Sequence, residues 1–542
     1  MIRVFLIIVF GLSFTQAISQ IVERVRPATW DSLAYGGRFM DRFLPMPDLG
    51  GMTSNTWGGA NVIPRDINNG IEDMEWSYWG GNARLLLDGK YHLFVCRWLE
   101  KAPRGHATWP KSIVVHAVAD NSYGPYKVVN EVGKGHNPEW FITDDNTYVV
   151  NVIDGYYEAK SVDGPWSYHK LDFDKRERKI TEGLSNTTFA KREDGSFIMV
   201  TRGGDVAISK DGHSTWYQVT DKRIYPPVDG EYEDPLLWKT DVQYHLIVND
   251  WLGRIAYHLR SKDGITWKTD PGEAYIPGLA NYKDGTKEDW FKYERIKVLQ
   301  DEHGRAIQAH FAVIDTLKKF DKAGDNHSSK QIVIPLTVGK LMTVVNKEPL
   351  TSFTEEIIVR IKAEKGFNPN TDIDISSLRF GSPEAVDYGR GSVVKSIARE
   401  GNDVLITFEG KGNGITQDNF AAKLLGKDTQ GNLLFAYSRL PGVNYIQSAL
   451  SALKPVLKKS GSKIEIEVAN FGQVVSKQST IHVFKVNDGV QAEIGNSVIP
   501  PIKPYKTETI SINVIKGQKK QKGEWLVIIN KGQDNMVSFQ VK

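Results

Sequence analysis

A hairpin pattern that returns about every 50 residues is the feature that most limits the folds open to this chain. Each copy has an apolar run, a short turn of Asp, Asn or Gly, and an alternating strand rich in Tyr, His, Val and Ile. The five copies span residues 85–94, 140–150, 189–200, 236–248 and 298–311. Since Asp, Asn and Gly accept the positive φ of tight turns, each copy predicts a β-hairpin.

A second pattern alternates with the first. After four of the hairpins, a small polar turn is followed closely by an aromatic residue, at 123–126, 163–166, 211–216 and 263–267. Two hairpins per unit make four strands, which is the content of a propeller blade. The sequence therefore predicts a five-bladed β-propeller over residues 20–348, closed by the segment 330–336 or by the stretch near Trp57. A row of β-sandwiches is the alternative, but it does not require two alternating motifs.

The chain changes character beyond about residue 350, where Trp nearly disappears. Short alternating strands follow, of which residues 463–468, 480–484 and 523–529 are the clearest. This pattern predicts two small β-sandwich modules, at residues 349–445 and 446–542. The predicted fold class is thus all-β, a propeller followed by two sandwiches.

The N-terminus has the pattern of a secretory signal peptide over residues 1–19. Arg3 is followed by an apolar run, and Ala17 supplies a small residue at the exit. No cysteine follows that run, so a lipid anchor is not supported, and the single Cys96 excludes a disulfide within the chain. We expect a secreted or periplasmic protein without a membrane span.

Composition narrows the choice of partner. The net charge is only +3, and no run of Lys and Arg indicates nucleic-acid binding. The chain has 14 Trp residues, which suit either β cores or stacking on sugar rings. An oligosaccharide or polysaccharide is therefore the expected partner, and the oligomeric state is left open.

Polar residues stand just before each predicted inner hairpin, at one topological position per blade. In a propeller these positions converge on one mouth of the central channel, which is where such a fold builds a site. The candidates in chain order are Glu75, Trp79, Asn82, His136, Asn137, Asn186, Glu233, Asp234, Glu294 and Arg295, with Arg97 at the end of the first hairpin. Glu294 and Arg295 either neutralise each other or bind a sugar carboxylate or sulfate.

Residues 35–345 resemble the five-bladed propeller glycosidases, glycoside hydrolase family 43 and relatives such as family 117. The local likeness is clearest at Glu233-Asp234-Pro235-Leu236-Leu237-Trp238, followed by Tyr244-His245-Leu246, and at Phe141-Ile142-Thr143-Asp144-Asp145. The resemblance implies that Glu233 is the general acid. It also implies that the two C-terminal modules are immunoglobulin-like accessory modules of a secreted glycosidase.

The chain departs from family 43 at two of its three carboxylates. Asn137 stands where the pKa-modulating Asp is expected, and Asn82 stands near the position of the base. An amide does not accept a proton from water, so we expect the base to come from Glu75 or Asp73, or the mechanism to differ. Family 117 is understood to use a His as general acid, a role for which His136 is the candidate.

Three functions follow from these features. The first is an exo-acting hydrolase for oligosaccharides derived from plant or algal polysaccharides, in which an acid protonates the glycosidic oxygen while a base activates water. The alternatives are a glycan-binding propeller without catalysis, which the missing Asp residues favour, and a polysaccharide lyase with His136 or a Tyr as base. No cofactor is expected, although a structural Ca²⁺ in the channel is left open.

Overall fold

The computed structural model of the chain describes residues 23–53, 59–178, 184–324, 329–518, 523–532 and 536–541, here called the described ranges. The predicted signal peptide and Trp57 lie outside them. The described helices are short: Ala28–Ser32, Phe39–Arg42, Ala60–Val62, Gly105–Lys111 and Pro383–Val386. Strands make up the rest of the regular structure, so the all-β prediction is confirmed.

Five antiparallel sheets follow one another between residues 76 and 335, and each contains one of the predicted hairpins. Sheet 1 has strands Trp76–Leu85, Tyr91–Leu99, Ile113–Ala119 and Lys127–Lys134, and sheet 2 has Glu139–Ile142, Tyr148–Val152, Gly155–Ala159 and Ser167–Lys170. Sheet 3 has Thr188–Lys191, Phe197–Val200, Val206–Ser209 and Trp216–Gln218, with Phe173–Asp174 added in parallel at its edge. Sheet 4 has Tyr232–Lys239, Tyr244–Asp250, Ile255–Ser261 and Lys268–Thr269, and sheet 5 has Lys292–Gln300, Ala306–Ile314 and Ser329–Pro335.

The first strand of each sheet, here called its inner strand, bonds to the inner strand of the next sheet. The four links are Asn82 Nδ2 to Trp140 O (3.1 Å), Thr188 Oγ1 to Glu139 Oε1 (2.9 Å), Leu237 N to Thr188 Oγ1 (2.9 Å) and Arg295 N to Asp234 Oδ2 (3.2 Å). Gln331 of sheet 5 returns to sheet 1, because its Nε2 donates to Gly81 O at 3.2 Å. Arg295 of the inner strand of sheet 5 also packs against Gly80 of the inner strand of sheet 1, so sheet 5 contacts both sheet 4 and sheet 1. Sheets 1 to 5 are here called the ring.

The N-terminal segment lies along the last strand of sheet 5. Phe43 forms an antiparallel bridge with Leu336, and Ile71 forms one with Gln331. Segment 330–336, one of the two candidates for closing the ring, thus falls mostly within the third strand of sheet 5. Residues from before sheet 1 cover the edge of that strand, which would otherwise present unpaired backbone groups.

A buried ion pair joins the inner strands of sheets 2 and 5. The Nζ of Lys297 bonds to Glu139, whose other oxygen accepts bonds from Thr188 and from the backbone N–H of Phe189. Burial lowers the pKa of Lys297 to about 8, although Glu139 opposes this shift. Because both charges are buried, removing one partner would leave the other uncompensated, which is strongly destabilising.

A seven-stranded sheet follows sheet 5. Its strands are Lys340–Val344, Glu356–Ile361, Ile373–Gly381, Val394–Glu400, Asp403–Glu409, Ala421–Asp428 and Leu433–Arg439. Side chains from its two halves share one apolar core, for example Ile406 and Phe408 with Leu424 and Leu434. The first strand begins at Lys340, earlier than the predicted module boundary at 349, because that strand pairs with Leu433–Arg439 and not with sheet 5.

Two four-stranded sheets form the last part of the chain. One contains Leu450–Ala452, Val456–Leu457, Lys463–Asn470 and Thr507–Asn513, and the other contains Ser479–Asn487, Val490–Ile499, Glu524–Ile529 and Val537–Val541. Alternating Ile and Val side chains of both sheets, such as Ile464, Ile466, Ile481 and Val483, meet in one core. The period-2 pattern buries one face of each sheet, as its sequence predicts.

Candidate functional site

Four residues at the inner-strand starts share an uncommon backbone conformation. Asn137, Asn186, Asp234 and Arg295 have φ values of 53°, 49°, 55° and 50°. Asn and Asp enter this left-handed region more easily than other side chains, whereas an Arg there is strained unless its surroundings hold it. The repeated bend occurs at one position in sheets 2 to 5 and turns these side chains towards one another.

Sheet 1 has two glycines at the corresponding position. Gly80 and Gly81 form a bulge with φ values of 65° and 103°. A Cβ on Gly81 would lie 2.0 Å from Phe94 O, and one on Gly80 would lie 3.3 Å from Arg295 Nε. The first inner strand therefore contributes no side chain at this level, and the Arg295 side chain lies against Gly80.

A chain of amide and carboxylate bonds joins the bends. Asn137 Nδ2 donates to Asn186 Oδ1 at 2.5 Å. Asn186 Nδ2 in turn donates to Glu233 Oε1 at 3.0 Å and to Asp234 Oδ1 at 2.8 Å. Asn137 Oδ1 is buried and has no hydrogen-bond partner within the described ranges, so it is a free acceptor beside the carboxylates.

Arg295 fixes the second carboxylate of this group. Its Nη1 and its backbone N–H both contact Asp234, at 3.3 and 3.2 Å, and its Nη2 donates to Asn137 O at 3.2 Å. Arg295 and Asp234 are both almost fully buried. We call Asn137, Asn186, Glu233, Asp234, Glu294 and Arg295 the central cluster.

Glu233 differs from the other carboxylates of the central cluster because part of its side chain, 21%, reaches solvent. Burial, and then the negative charges of Asp234 and Glu294, raise its pKa to about 7, while Lys318 and Arg202 oppose the shift. Arg202 Nε lies 3.7 Å from Glu233 Oε1. At neutral pH this carboxyl group is therefore partly protonated and accessible, as a general acid must be.

Glu294 is held in the opposite state. Burial alone would raise its pKa, but Lys318 and Lys292 outweigh burial and lower it. Lys318 Nζ lies 2.5 Å from one oxygen, and Lys292 Nζ lies 3.3 Å from the other. The central cluster thus contains one carboxyl group with a raised pKa and one with a lowered pKa.

His136 lies beside the central cluster with a neutral ring. Burial, together with the charges of Arg295 and Lys318, holds its pKa well below the ordinary value. Its Nδ1 is 3.0 Å from Ser112 Oγ and 3.3 Å from Cys96 Sγ, and both of those groups donate to backbone carbonyls. Nδ1 therefore carries the hydrogen, which leaves Nε2 with a free lone pair.

Trp79 packs beside the central cluster and is almost fully buried. The edge of His106 packs on its ring with centroids 4.6 Å apart, and Lys318 Nζ lies 4.8 Å from the ring centre. The contact between Lys318 and the Trp79 ring helps to hold Lys318 near Glu294. Trp79 thus positions the cation and does not offer an open face to a sugar.

Three candidate residues lie away from the central cluster. Asn82 uses its amide to bond Trp140 O and Trp140 N, which joins sheets 1 and 2. Arg97 lies over the Trp76 ring at 4.0 Å, on the opposite face of its strand from Cys96. Glu75 is exposed, and its backbone N–H bonds to Asp73 Oδ1, so its assignment as the base stays a prediction.

Three cationic side chains at this site are absent from the candidates that the sequence predicts. Lys292 precedes Glu294 by two residues on one strand, so strand periodicity places both on one face. Arg202 follows the second strand of sheet 3, and Arg97 and Trp98 lie at the end of the second strand of sheet 1. Comparing the ends of the second strands would therefore have found Arg202. Lys318 lies in an irregular connection, and no pattern in the sequence points to it.

A metal centre and a membrane span have no counterpart in the part of the chain that the structure describes. No group of three or more His, Cys, Asp or Glu side chains there is arranged to hold a metal ion. None of the helices in that part has the length and apolar character to cross a membrane. The expectation about cofactors, with a Ca²⁺ in the channel left open, remains an expectation.

Comparison with known proteins finds similarity at the level of structure. No protein-family model and no curated protein matches the chain. Solved structures with similarity include a protein of unknown function from Dyadobacter fermentans (10% identity, TM-score 0.32, 54% of this chain and 92% of the other). Others are the GH43 protein BlXynB from Bacillus licheniformis (9%, 0.31, 90% and 91%) and the periplasmic gluconolactonase PpgL from Pseudomonas aeruginosa (10%, 0.24, 79% and 100%). These TM-scores carry no argument on function.

Proposed function

We propose that sheets 1 to 5 are the blades of a five-bladed propeller and that the protein is a secreted, exo-acting glycoside hydrolase. The links between successive inner strands, and the contacts of sheet 5 with sheet 1, support the propeller, because blades of a propeller meet along those strands. The central cluster lies where those strands begin. The two C-terminal units are proposed to be separate immunoglobulin-like modules at about residues 349–445 and 446–542. The strand that begins at Lys340 is the one exception to the first boundary.

The raised pKa of a carboxyl group that still reaches solvent, Glu233, carries the proposal. A glycosidase needs a carboxylic acid that keeps its proton near neutral pH and reaches the glycosidic oxygen. Glu233 meets both requirements, since its pKa is about 7 and its side chain reaches solvent. Asn186 holds one oxygen of Glu233, which leaves the other for the substrate.

The group that activates water is the second part of the proposal. Both oxygens of Asp234 contact Arg295, and both oxygens of Glu294 contact lysines, so these carboxylates are committed to ion pairs. Glu75 on the exposed rim is retained as the candidate base, and an E75Q variant tests it. A carboxylate that reaches the reaction only through a water molecule suits an inverting mechanism.

Product analysis is the test. The protein is incubated with a panel of plant and algal oligosaccharides, and released sugars are measured by reducing-end assay, chromatography and ultraviolet absorbance. Release of reducing monosaccharides without absorbance, lost in E233Q, supports the exo-hydrolase. Saturable binding without any product would instead assign a glycan-binding propeller, for which the amides of Asn137 and Asn186 at carboxylate positions are the argument.

His136 supports a second candidate, a polysaccharide lyase. A lyase base removes a proton next to a uronate carboxylate, and a cation must neutralise that carboxylate. The unprotonated Nε2 of His136 is such a base, and Lys318 and Arg295 are close enough to lower its pKa. In this case the products absorb in the ultraviolet, and H136A abolishes their formation while E233Q does not.

A further inference from the structure

A cavity outside the ring lies between sheets 4 and 5 and the seven-stranded sheet. Its volume is about 320 Å³, which is within the range of about 300–1,000 Å³ found for small-molecule sites. Trp238 and His245 of sheet 4 line one side, and Phe435 and Tyr437 of the seven-stranded sheet line another. None of these residues belongs to the central cluster.

Arg42 is the buried charge of this cavity. It is 7% exposed, and no acidic side chain lies within ion-pair distance of it in the described ranges. Its Cζ lies 4.6 Å from the Phe39 ring centre and 4.2 Å from that of Phe435, while Nη2 donates to Tyr437 Oη at 3.3 Å. Its Nε is buried and has no hydrogen-bond partner among the residues that the structure describes. A charge buried in this way is costly unless an anion accompanies it.

The other charged side chains of the cavity wall are also mostly positive. Arginine or lysine stands at five lining positions and a carboxylate at one, Asp241, which is paired with His303 at 2.8 Å. Arg305 is balanced by Asp301 and Glu364, and Arg439 lies 3.5 Å from Glu193. Arg42 and Lys362 form no ion pair within the described ranges, and Lys340 has Glu364 as its main electrostatic partner without forming an ion pair with it there. The cavity therefore favours an anion.

Hydroxyl groups complete the wall. Thr337 and Thr343 line the cavity with hydroxyls that form no hydrogen bond within the described ranges, whereas the lining hydroxyls of Thr240, Ser438 and Tyr437 already bond within the chain. A guanidinium packed on aromatic rings keeps its N–H edge for a carboxylate or sulfate, which it binds in a planar, directed way. Hydroxyl side chains suit the hydroxyls of a sugar ring.

We propose that this cavity is a second ligand site that binds an acidic monosaccharide unit, with Arg42 pairing its carboxylate or sulfate. The site is separate from the catalytic one and does not depend on the proposed function. Lys340, whose Nζ lies 4.2 Å from the Phe367 ring centre, supplies a second positive charge to the cavity wall.

Calorimetric titration of the full chain with D-glucuronate, D-glucose 6-sulfate and D-glucose tests the proposal. We expect both anionic sugars to bind at one site and glucose to bind at least about tenfold more weakly. Arg42→Met is expected to weaken glucuronate binding about 10- to 100-fold, the range for a lost charge-assisted bond. Arg42→Lys should recover part of the loss, and the matched control Arg360→Met, whose side chain pairs with Glu400 and does not line the cavity, should have no effect.

Two further variants keep the test decisive. Lys340 is partly exposed, and replacing it leaves the packing of Arg42 intact. Lys340→Met is therefore expected to fold even if Arg42→Met does not. It is expected to weaken binding by about twofold or more. Glu233→Gln is expected to leave glucuronate binding unchanged. Equal binding of inorganic sulfate and glucuronate would overturn the sugar assignment. Loss of binding in Glu233→Gln, or unchanged binding in both cavity variants, would overturn the site.

Discussion

Arg295 Nη1 lies 3.3 Å from Asp234 Oδ1, and both residues adopt the left-handed backbone conformation on neighbouring inner strands. The pair holds the Asp234 carboxylate in place next to Glu233. That negative charge is one reason why the pKa of Glu233 rises, after burial itself. Asp234 therefore acts on the chemistry by keeping a proton on its neighbour.

Replacing Glu233 by Gln is expected to lower turnover on a natural oligosaccharide by about 10²- to 10⁴-fold, the usual contribution of general acid catalysis. Gln keeps the shape and the bond from Asn186 but removes the proton donor. An activated aryl glycoside, whose leaving group needs no proton, should lose much less. Steady-state kinetics on both substrates provide the measurement, with the exposed Glu231→Gln as matched control. Full activity of E233Q on the oligosaccharide would rule out Glu233 as the acid.

The pH profile should report the same carboxyl group. Because the acid works only when protonated, kcat/KM is expected to fall as pH rises through about 7, the pKa of Glu233. Arg202 lowers that pKa, so Arg202→Met should move the falling limb to higher pH. The exposed Lys210→Met serves as the control and should leave the limb in place. A limb that stays fixed in Arg202→Met contradicts the assignment.

The free energy of unfolding should depend on pH because of Glu233. The pKa of Glu233 rises on folding from 4.5 to about 7, so ionising it destabilises the folded state. The loss is absent below pH 4.5 and complete above pH 7. Glu233→Gln is therefore expected to raise the free energy of unfolding by about 3 kcal/mol at pH 8.5 and by about 1 kcal/mol at pH 5. Denaturant titrations of both proteins at the two pH values measure this, and an equal difference at both would contradict it.

Much of this arrangement can be predicted from the sequence, because the hairpin repeat shows which residues occupy equivalent positions in the five sheets. Residues just before each inner strand share one position, and Asn137, Asn186, Asp234 and Arg295 indeed lie together. Asn82 does not join them, since the Gly80-Gly81 bulge moves it one step deeper, where its amide serves the Trp140 backbone. A bulge of this kind depends on contacts between sheets, which no local pattern reveals.

The cations of the site were harder to predict. Lys318 reaches Glu294 from a connection without periodicity, and its position depends on Trp79 and on the tertiary fold. The neutral state of His136 likewise comes from burial and from charges on distant segments. The types of the residues were visible in the sequence, but their protonation states were not.

Export of the chain remains a prediction, because residues 1–19 lie outside the described ranges. Expression of the full gene in a secreting bacterial host should yield a mature protein that begins near residue 20, as found by N-terminal sequencing. Replacing apolar residues of the segment 4–14 by Asp should keep the protein in the cytoplasm. Secreted material that begins at Met1 would contradict the prediction.

Phe471 links the last part of the chain to the ring. Its ring stacks on Tyr217 of sheet 3 at 4.6 Å and joins the apolar core shared by sheets 3 and 4. Its carbonyl accepts a bond from Arg192 Nη1 at 2.9 Å, and Arg176 pairs with Glu467 nearby. These contacts make the C-terminal sheets part of the support of sheets 3 and 4.

Phe471→Ala is therefore expected to lower the free energy of unfolding by about 3 kcal/mol, since it removes a buried aromatic ring and leaves a cavity. Phe353→Ala is the matched control, because Phe353 is 90% exposed and its loss should change stability by less than about 0.5 kcal/mol. Denaturant unfolding followed by Trp fluorescence reports on the ring, which holds nearly all the Trp residues. If Phe471→Ala leaves that transition unchanged while a second transition moves, the C-terminal sheets unfold independently and do not support the ring.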